Sequence, residues 1–342
     1  MQKEKIRVIQ YGCGKMGQVF LRYLYENGAQ IVGAIDNNPD MIGKDIGEVI
    51  GLSEVYGITI SADAEEVFAN ANADACIIAI ASLMTDMEPH FALAAKHGVN
   101  AISTCEEAFF PHNTSQEITE RLDVLAKEHN CTLTGSGYQD VFWGNLIATL
   151  AGATHKITRI EGVSSYNVEE YGIALAKVHG AGLTLDAFET EIAQNDNLPS
   201  YMWNSNEWLC DRLGLTITNI SQKLVPTTHT EMLTSETLGT NIPAGDATGM
   251  SAVVTVETEE GVEIETECIG KVYAEGEVDV NDWKIIGEPN TSVNIHEPAT
   301  VELTCATIVN RLPDIIKAHA GFVPTSQMPV TEYRVKSLEQ YL

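Results

Sequence analysis

Two stretches of this chain combine residue types and spacings that can do chemistry. The first, residues 12–17, reads Gly12, Cys13, Gly14, Lys15, Met16, Gly17; it follows the strand-like run Ile6–Gln10 and opens a segment of helical period. In that context Gly12 permits a tight turn, Gly14 lets the backbone approach a pyrophosphate, and Gly17 lets the helix lie close to the strand. The unpaired N–H groups and dipole of a helix N-terminus then favour the anion. Cys13, Lys15 and Met16 come with the turn as cofactor-binding residues. Asp36 ends the next strand-like run, nineteen residues after Gly17, where a carboxylate accepts hydrogen bonds from dinucleotide ribose hydroxyls. Asn37 and Asn38 follow, with no Arg or Lys to take a 2′-phosphate, so NAD is expected in preference to NADP. Ala81 and Ser82 stand at the end of the apolar run Ala75–Ala81, on the edge where a nicotinamide is expected, and are read as cofactor contacts.

The second stretch is the carboxylate pair Glu106 and Glu107, at the end of the strand-like run Ala101–Thr104. Open parallel sheets bind ligands outside the carboxyl ends of their strands, which places this pair beside the nicotinamide. Adjacent residues point in different directions, so one of the two is expected to face the pocket. Phe109 and Phe110 would desolvate it and raise its pKa toward a range useful for proton transfer. A helix N-terminal pair stabilised by the dipole reads equally well.

Other residues extend the candidate substrate site. Gln139, Asp140 and Trp143 follow the last strand of the first half, with Asp140 either a second pocket carboxylate or a helix N-cap. Tyr166 and Tyr171 are candidate pocket walls or core residues, and His179 lies between glycine-rich neighbours as a candidate pocket histidine. Asn310 is either a cofactor contact or a structural cap. Trp203 and Trp208 read as core or dimer-interface residues.

The elements that must position these groups are legible as period. From residue 6 to about 135, apolar strands at Ile6–Gln10, Ile31–Ile35, Ile58–Ser61, Ala75–Ala81, Ala101–Thr104 and Thr132–Thr134 alternate with helical segments. Those segments are Gly17–Asn27, Ala64–Asn70, Glu88–His97 and Gln116–Glu128. Continuous apolar strands alternating with helices mean an α/β, doubly wound parallel sheet of Rossmann type, covered on both faces. Beyond about residue 140 the segments 157–168, 249–258, 262–273 and 280–286 alternate and are rich in Val, Ile and Thr, with a hairpin turn at Glu259–Gly261. This predicts a second α+β domain on a mixed or antiparallel sheet. The expected boundaries are 1–140 for the dinucleotide-binding domain, 141–300 for a substrate and dimerisation domain, and 301–342 for a C-terminal helix and tail packing back on the first. That helix, Ala299–His319, is read as interrupted by Pro313.

Composition narrows the partners. Acidic residues number 48 against 20 basic, a formal charge of −28, which repels phosphate backbones and anionic lipid and argues against nucleic-acid or membrane partners. No apolar run approaches the length of a membrane span. The seven dispersed cysteines form no C-x-x-C pair, which suits reduced thiols in a cytoplasm, and the nine histidines show no metal-ligand spacing, so no metal is expected.

Several of these motifs together resemble the 2,4-diaminopentanoate dehydrogenases and the related native amine dehydrogenases, which share a fold with dihydrodipicolinate reductase. The resemblance rests on the Gly12/Gly14/Gly17 turn, on residues Gly43–Glu48 and Gly51 with Leu52, and on Ser103–Glu107 with Pro111. Asn310–Pro313 with Gly321 completes it. It covers most of the chain, densely over 5–140 and again over 305–329. It implies oxidative deamination of a small amine or diamino acid, reversible as reductive amination of a ketone with ammonia, by a homodimeric enzyme using NAD or NADP. The family's pocket carboxylate corresponds to Glu107, which would take a proton from the substrate ammonium before hydride transfer. The chain departs from the pattern at residues 135–140, where Asn-Pro-Gly is expected, and this puts substrate identity in doubt more than reaction type. It lacks the paired-histidine and lysine segments of dihydrodipicolinate reductase itself.

Overall fold

The fold was taken from a computed structural model, in which residues 4–194 and 200–342 are described. Contacts divide the chain into two units: the described residues through Asn145 together with Ala299–Leu342, and Leu146–Pro298.

In the first unit, strands β1 (Arg7–Tyr11), β2 (Gln30–Ile35), β3 (Ile60–Ser61), β4 (Ala75–Ile78), β5 (Asn100–Ser103) and β6 (Thr132–Gly135) alternate with helices. The helices are α1 (Lys15–Glu26), α2 (Ile46–Val49), α3 (Ala64–Ala71), α4 (Met84–Lys96) and α5 (Gln116–Glu128). The strands run parallel, and their side chains are buried on both faces. One face packs Val8, Ile31 and Ile77 against Phe20, Leu21 and Leu24 of α1; the other packs Ile9, Cys76 and Ile78 against Met87, Phe91 and Leu122. Each such fully buried aliphatic or aromatic side chain contributes about 1.5–3 kcal/mol.

The second unit holds α6 (Leu146–Ala151), β7 (Lys156–Asn167), α7 (Ile173–Val178), α8 (Leu185–Phe188), α9 (Tyr201–Leu213) and β8 (Ile217–Thr228). After these come β9 (Leu233–Ser235), β10 (Thr240–Ile242), β11 (Ala247–Thr258), β12 (Glu263–Lys271), β13 (Val280–Glu288) and β14 (Thr291–His296). Its six-stranded sheet has the order β14-β13-β7-β12-β11-β8, with β7 and β12 parallel and the other pairs antiparallel. At Gly162 in β7 a Cβ would stand 2.6 Å from the Trp283 ring, so only glycine lets that indole lie across the sheet.

The chain then returns to the first unit with α10 (Thr300–Lys317) and β15 (Gly321–Phe322). β15 pairs in parallel with β6 and completes a seven-stranded sheet of order β15-β6-β5-β4-β1-β2-β3. Three sequence expectations are corrected here. α10 is continuous through Pro313, because Ile308, Val309, Leu312 and Ile315 are buried against the first unit's core and packing outweighs the one missing N–H. β8 and β14 were not expected; both lie at sheet edges, where β8 tolerates Pro226. β15 is too short to leave a periodic signal.

Candidate functional site

The glycine turn does what its spacing requires. Gly12 has φ +91°, and a Cβ on it would stand 2.2 Å from the Ala79 carbonyl oxygen; a Cβ on Gly17 would stand 2.1 Å from the Gly12 carbonyl oxygen. Gly14 is the N-cap of α1, donates no side-chain cap, and has open space around its Cα. The first turn of α1 carries no acidic residue, so its N–H groups and dipole are left for an external anion.

Two cavities flank this turn and share Gly14, Ala79 and Ile80. One, of about 280 Å³, is lined by Tyr11, Asp36, Asn37, Ala62 and His90. There Asp36 accepts hydrogen bonds from the backbone N–H of Cys13 at 2.6 Å and of Asn38 at 2.8 Å, which fixes its carboxylate against the turn. Burial and the nearby Asp36 charge push the Cys13 thiol up to about 12, so it is a packing group and not a nucleophile. The other cavity, of about 340 Å³, is lined by Lys15, Met16, Ala81, Ser82, Thr104, Glu106, Gln139 and Thr304. A bare helix N-terminus between two clefts, one with a fixed carboxylate, fits a dinucleotide whose pyrophosphate lies at Gly14.

The paired glutamates part ways. Glu106 lines the larger cavity; burial raises its carboxyl pKa, opposed by a hydrogen bond from the Ser82 side chain. Glu107 is buried and turned elsewhere. Its Oε2 accepts from the Met84 N–H at 2.7 Å and its Oε1 from the Ser115 hydroxyl at 2.6 Å. The cause is local: α4 begins after Leu83, which has no side chain to cap it, and Glu107 supplies the missing acceptor from the end of β5. One Glu107 oxygen is taken up by the start of α4 and the other by Ser115, and it is its neighbour Glu106 that lines the cavity, so the geometry shows no free Glu107 oxygen facing the cleft for the role that the resemblance implies.

The turn after β6 is similarly divided. Gln139 lines the cavity, buried, with its Nε2 lacking a hydrogen-bond partner among the described residues. Asp140 does not face the cavity. Its carboxylate is fully buried, paired with Nε and Nη2 of Arg311, and accepts from Ser136, Asn145 and Thr325. Neither of the two readings of Asp140 is what it does: it is an ion-pair anchor. Trp143 stacks edge-on against Tyr138 at 6.2 Å and is not among the cavity's lining residues. Asn310 is not among them either, and its carbonyl oxygen accepts from Arg334 Nε at 3.2 Å.

Tyr166, Tyr171 and His179 belong to the second unit and form a closed cluster there. The Tyr166 hydroxyl lies 2.6 Å from His179 Nε2, and His179 Nδ1 lies 2.9 Å from the Leu175 carbonyl oxygen. A carbonyl only accepts, so Nδ1 carries the proton and Tyr166 donates to Nε2. Burial lowers the His179 pKa. The ring fills the space over Gly270, where a Cβ would stand 2.5 Å away; Tyr171 packs edge-on to Tyr166 and is exposed.

Thr104, Thr304 and His90 line the two cavities and were missed in the sequence. Thr304 comes from α10, nearly two hundred residues from Glu106, and no local pattern marks it.

The 2,4-diaminopentanoate dehydrogenase C-terminal domain model matches residues 142–342, more than half of the chain. An amine dehydrogenase structure from Mycobacterium smegmatis superposes with a TM-score of 0.86 at 38% identity, over 97% of this chain and 98% of that one. The chain belongs to the 2,4-diaminopentanoate dehydrogenase family. A 2,4-diaminopentanoate dehydrogenase from Acetoanaerobium sticklandii is 24% identical over 343 residues, covering 96% of this chain and 94% of that protein. A scyllo-inositol dehydrogenase from Lactobacillus casei, solved with NAD(H) and scyllo-inositol, shares the fold at 16% identity and a TM-score of 0.55, over 85% of this chain and 76% of that one. Named relatives of this family are oxidoreductases acting on CH–NH2 groups. The structure gives the motif at 310–313 a physical role: Arg311 reaches from α10 to Asp140 in the site turn and to the Pro329 carbonyl oxygen at 2.7 Å.

Proposed function

We propose that this protein catalyses NAD-dependent oxidative deamination of a small amine or diamino acid, with 2,4-diaminopentanoate the first candidate, and the reductive amination of the ketone with ammonia in reverse. The observation that carries this reading is the Glu106 carboxylate, raised in pKa and held by Ser82, in the cavity that adjoins the glycine turn. The family supports the reaction class.

The bound nicotinamide would supply the hydride acceptor. Gly12, Gly14 and Gly17 would seat the pyrophosphate and Asp36 the adenosine ribose. NAD is favoured over NADP because the Asp36 cavity is lined by no Lys or Arg, and its His90 is held neutral by burial. Hydride leaves carbon only from a neutral amine, so Glu106 takes one proton from the substrate ammonium. Glu106 returns that proton to solvent, and once the C–H pair has left as hydride the iminium stands beside the ionised carboxylate, which stabilises it and then takes a proton from the attacking water. Ammonia leaves as the carbonyl forms. The seven cysteines are free thiols, six of them buried, which supports a reducing compartment such as the cytoplasm. A homodimer is carried forward as part of the proposal, to be read from its mass in solution.

The test is nicotinamide absorbance with purified protein, NAD or NADP, and a panel containing 2,4-diaminopentanoate, simple amines and alcohols. NAD reduction by the diamino acid with ammonia release is the expected result. Reduction by alcohols without any amine activity would overturn the reading.

A further inference from the structure

We propose that Gln139 is a cofactor-reading residue, its side-chain amide N–H donating to the carboxamide oxygen of the nicotinamide. The inference rests on the reading that the larger cavity takes the nicotinamide half of the cofactor. Gln139 is 8% exposed, lines that cavity, and its Nε2 has no hydrogen-bond partner among the described residues. A buried donor without a protein partner is costly unless a ligand, an ion or a water completes it, and this one belongs to a residue that lines the cavity beside the glycine turn.

The turn that carries this side chain is held in place. Its Oε1 lies against Gly137, where a Cβ would stand 3.0 Å from it, and Gly137 has φ +154°. On one side the Tyr138 N–H donates to Thr304 Oγ1 at 3.1 Å; on the other, Asp140 is locked by Arg311, Ser136, Asn145 and Thr325. The turn is thus pinned from α10 on both flanks of Gln139, so the backbone that carries the amide is ordered before a ligand binds.

The chemistry selects the partner. A lone N–H donor calls for an oxygen acceptor. No hydrogen bond joins the amide to Glu106, the cavity's own carboxylate, and a substrate ammonium offers no acceptor. The carboxamide oxygen is the acceptor on the nicotinamide ring, in a cavity that also contains Gly14, Lys15 and Met16. A carboxylate on the substrate is the other source of such an oxygen, and the experiment separates the two.

Calorimetric titration would measure binding of NAD, and of the dinucleotide whose pyridine ring carries no carboxamide, to the wild type and to Gln139→Leu. The proposal expects Gln139→Leu to weaken NAD about tenfold while leaving the analogue within about twofold. Melting of the ligand-free variant should be no lower than wild type, since a buried unpaired donor has been removed; Gln139→Met serves if the leucine variant does not fold. Equal weakening of both ligands would show a collapsed turn and overturn the proposal. Unchanged NAD binding with a raised KM for a carboxylate-bearing amine would overturn it in favour of the substrate. Failure of the wild type to bind NAD would overturn the cofactor reading itself and this inference with it.

Discussion

Helices α1 and α4 both begin at the carboxyl edge of the parallel sheet, and neither has a side-chain cap from its own N-cap residue, Gly14 or Leu83. They are finished differently. α4 has its Met84 N–H satisfied by Glu107, whose second oxygen is held by Ser115. α1 has no side-chain cap from Gly14 and no acidic residue in its first turn, Asp36 bonding instead to the Cys13 N–H just before the cap, and its start opens onto two cavities. The same electrostatic demand is met once from inside the fold and once left for a ligand's phosphates. On the proposed reading this difference divides the glutamates: Glu107 bonds the start of α4 and Ser115, and Glu106, one residue away, lines the cavity with a hydrogen bond from the Ser82 side chain.

The comparison can be broken by making α1 resemble α4. Gly14 has extended backbone at φ −68°, ψ −157° and nothing within 4 Å of an added Cβ, so Gly14→Asp is expected to fold. An N-cap aspartate would stabilise the ligand-free protein by about 1 kcal/mol and meet the pyrophosphate with like charge. We expect NADH affinity, read by nicotinamide fluorescence, to fall by roughly a hundredfold or more. Retained affinity would mean that the cofactor does not use this helix end.

A smaller effect sharpens the Glu106 side. Deamination needs the ionised carboxylate, so kcat/KM should rise with pH through the raised Glu106 pKa. The Ser82 hydrogen bond favours the ionised form, and Ser82→Ala removes it; the acid limb of the profile should move to higher pH. An unmoved limb would detach Ser82 from the titrating group.

The smallest effect comes from the second unit, whose Tyr166–His179 cluster satisfies itself. Tyr166→Phe leaves the buried Nε2 without its donor and should cost about 1–3 kcal/mol of stability in thermal melts, with kcat per folded molecule unchanged. The pH sign is fixed by the lowered His179 pKa. Below about pH 6.5 the unfolded chain binds a proton that the folded chain refuses, so this stability is present above that pH and is lost as pH falls toward the folded value.

Most of the dinucleotide frame was legible because each element carried its own mark: glycines at a strand-to-helix turn, Asp36 at a strand end, continuous apolar strands. The glutamate pair was legible as a location but not as a division of labour. Two adjacent carboxylates are equivalent in a sequence; what separates them is the uncapped start of α4, a contact spanning 23 residues. Asp140 was misread for a related reason, since its partner Arg311 lies 171 residues away. His179 drew attention by its glycine neighbours, of which Gly180 serves close packing, with Phe188 approaching to 2.7 Å of a Cβ placed on it, and Gly182 a turn at φ +86°. Residues whose roles depend on distant partners left no local trace.

The most direct test of the account is to compare Glu106→Gln and Glu107→Gln side by side for turnover, NADH binding and melting temperature. Glu106→Gln should lose about 10²–10⁴-fold in kcat with NADH binding and melting kept. Glu107→Gln should keep kcat within a few-fold while melting lower, by about 1–2 kcal/mol of stability. Loss of turnover on changing Glu107 in a fully folded protein, with Glu106→Gln near normal, would contradict it.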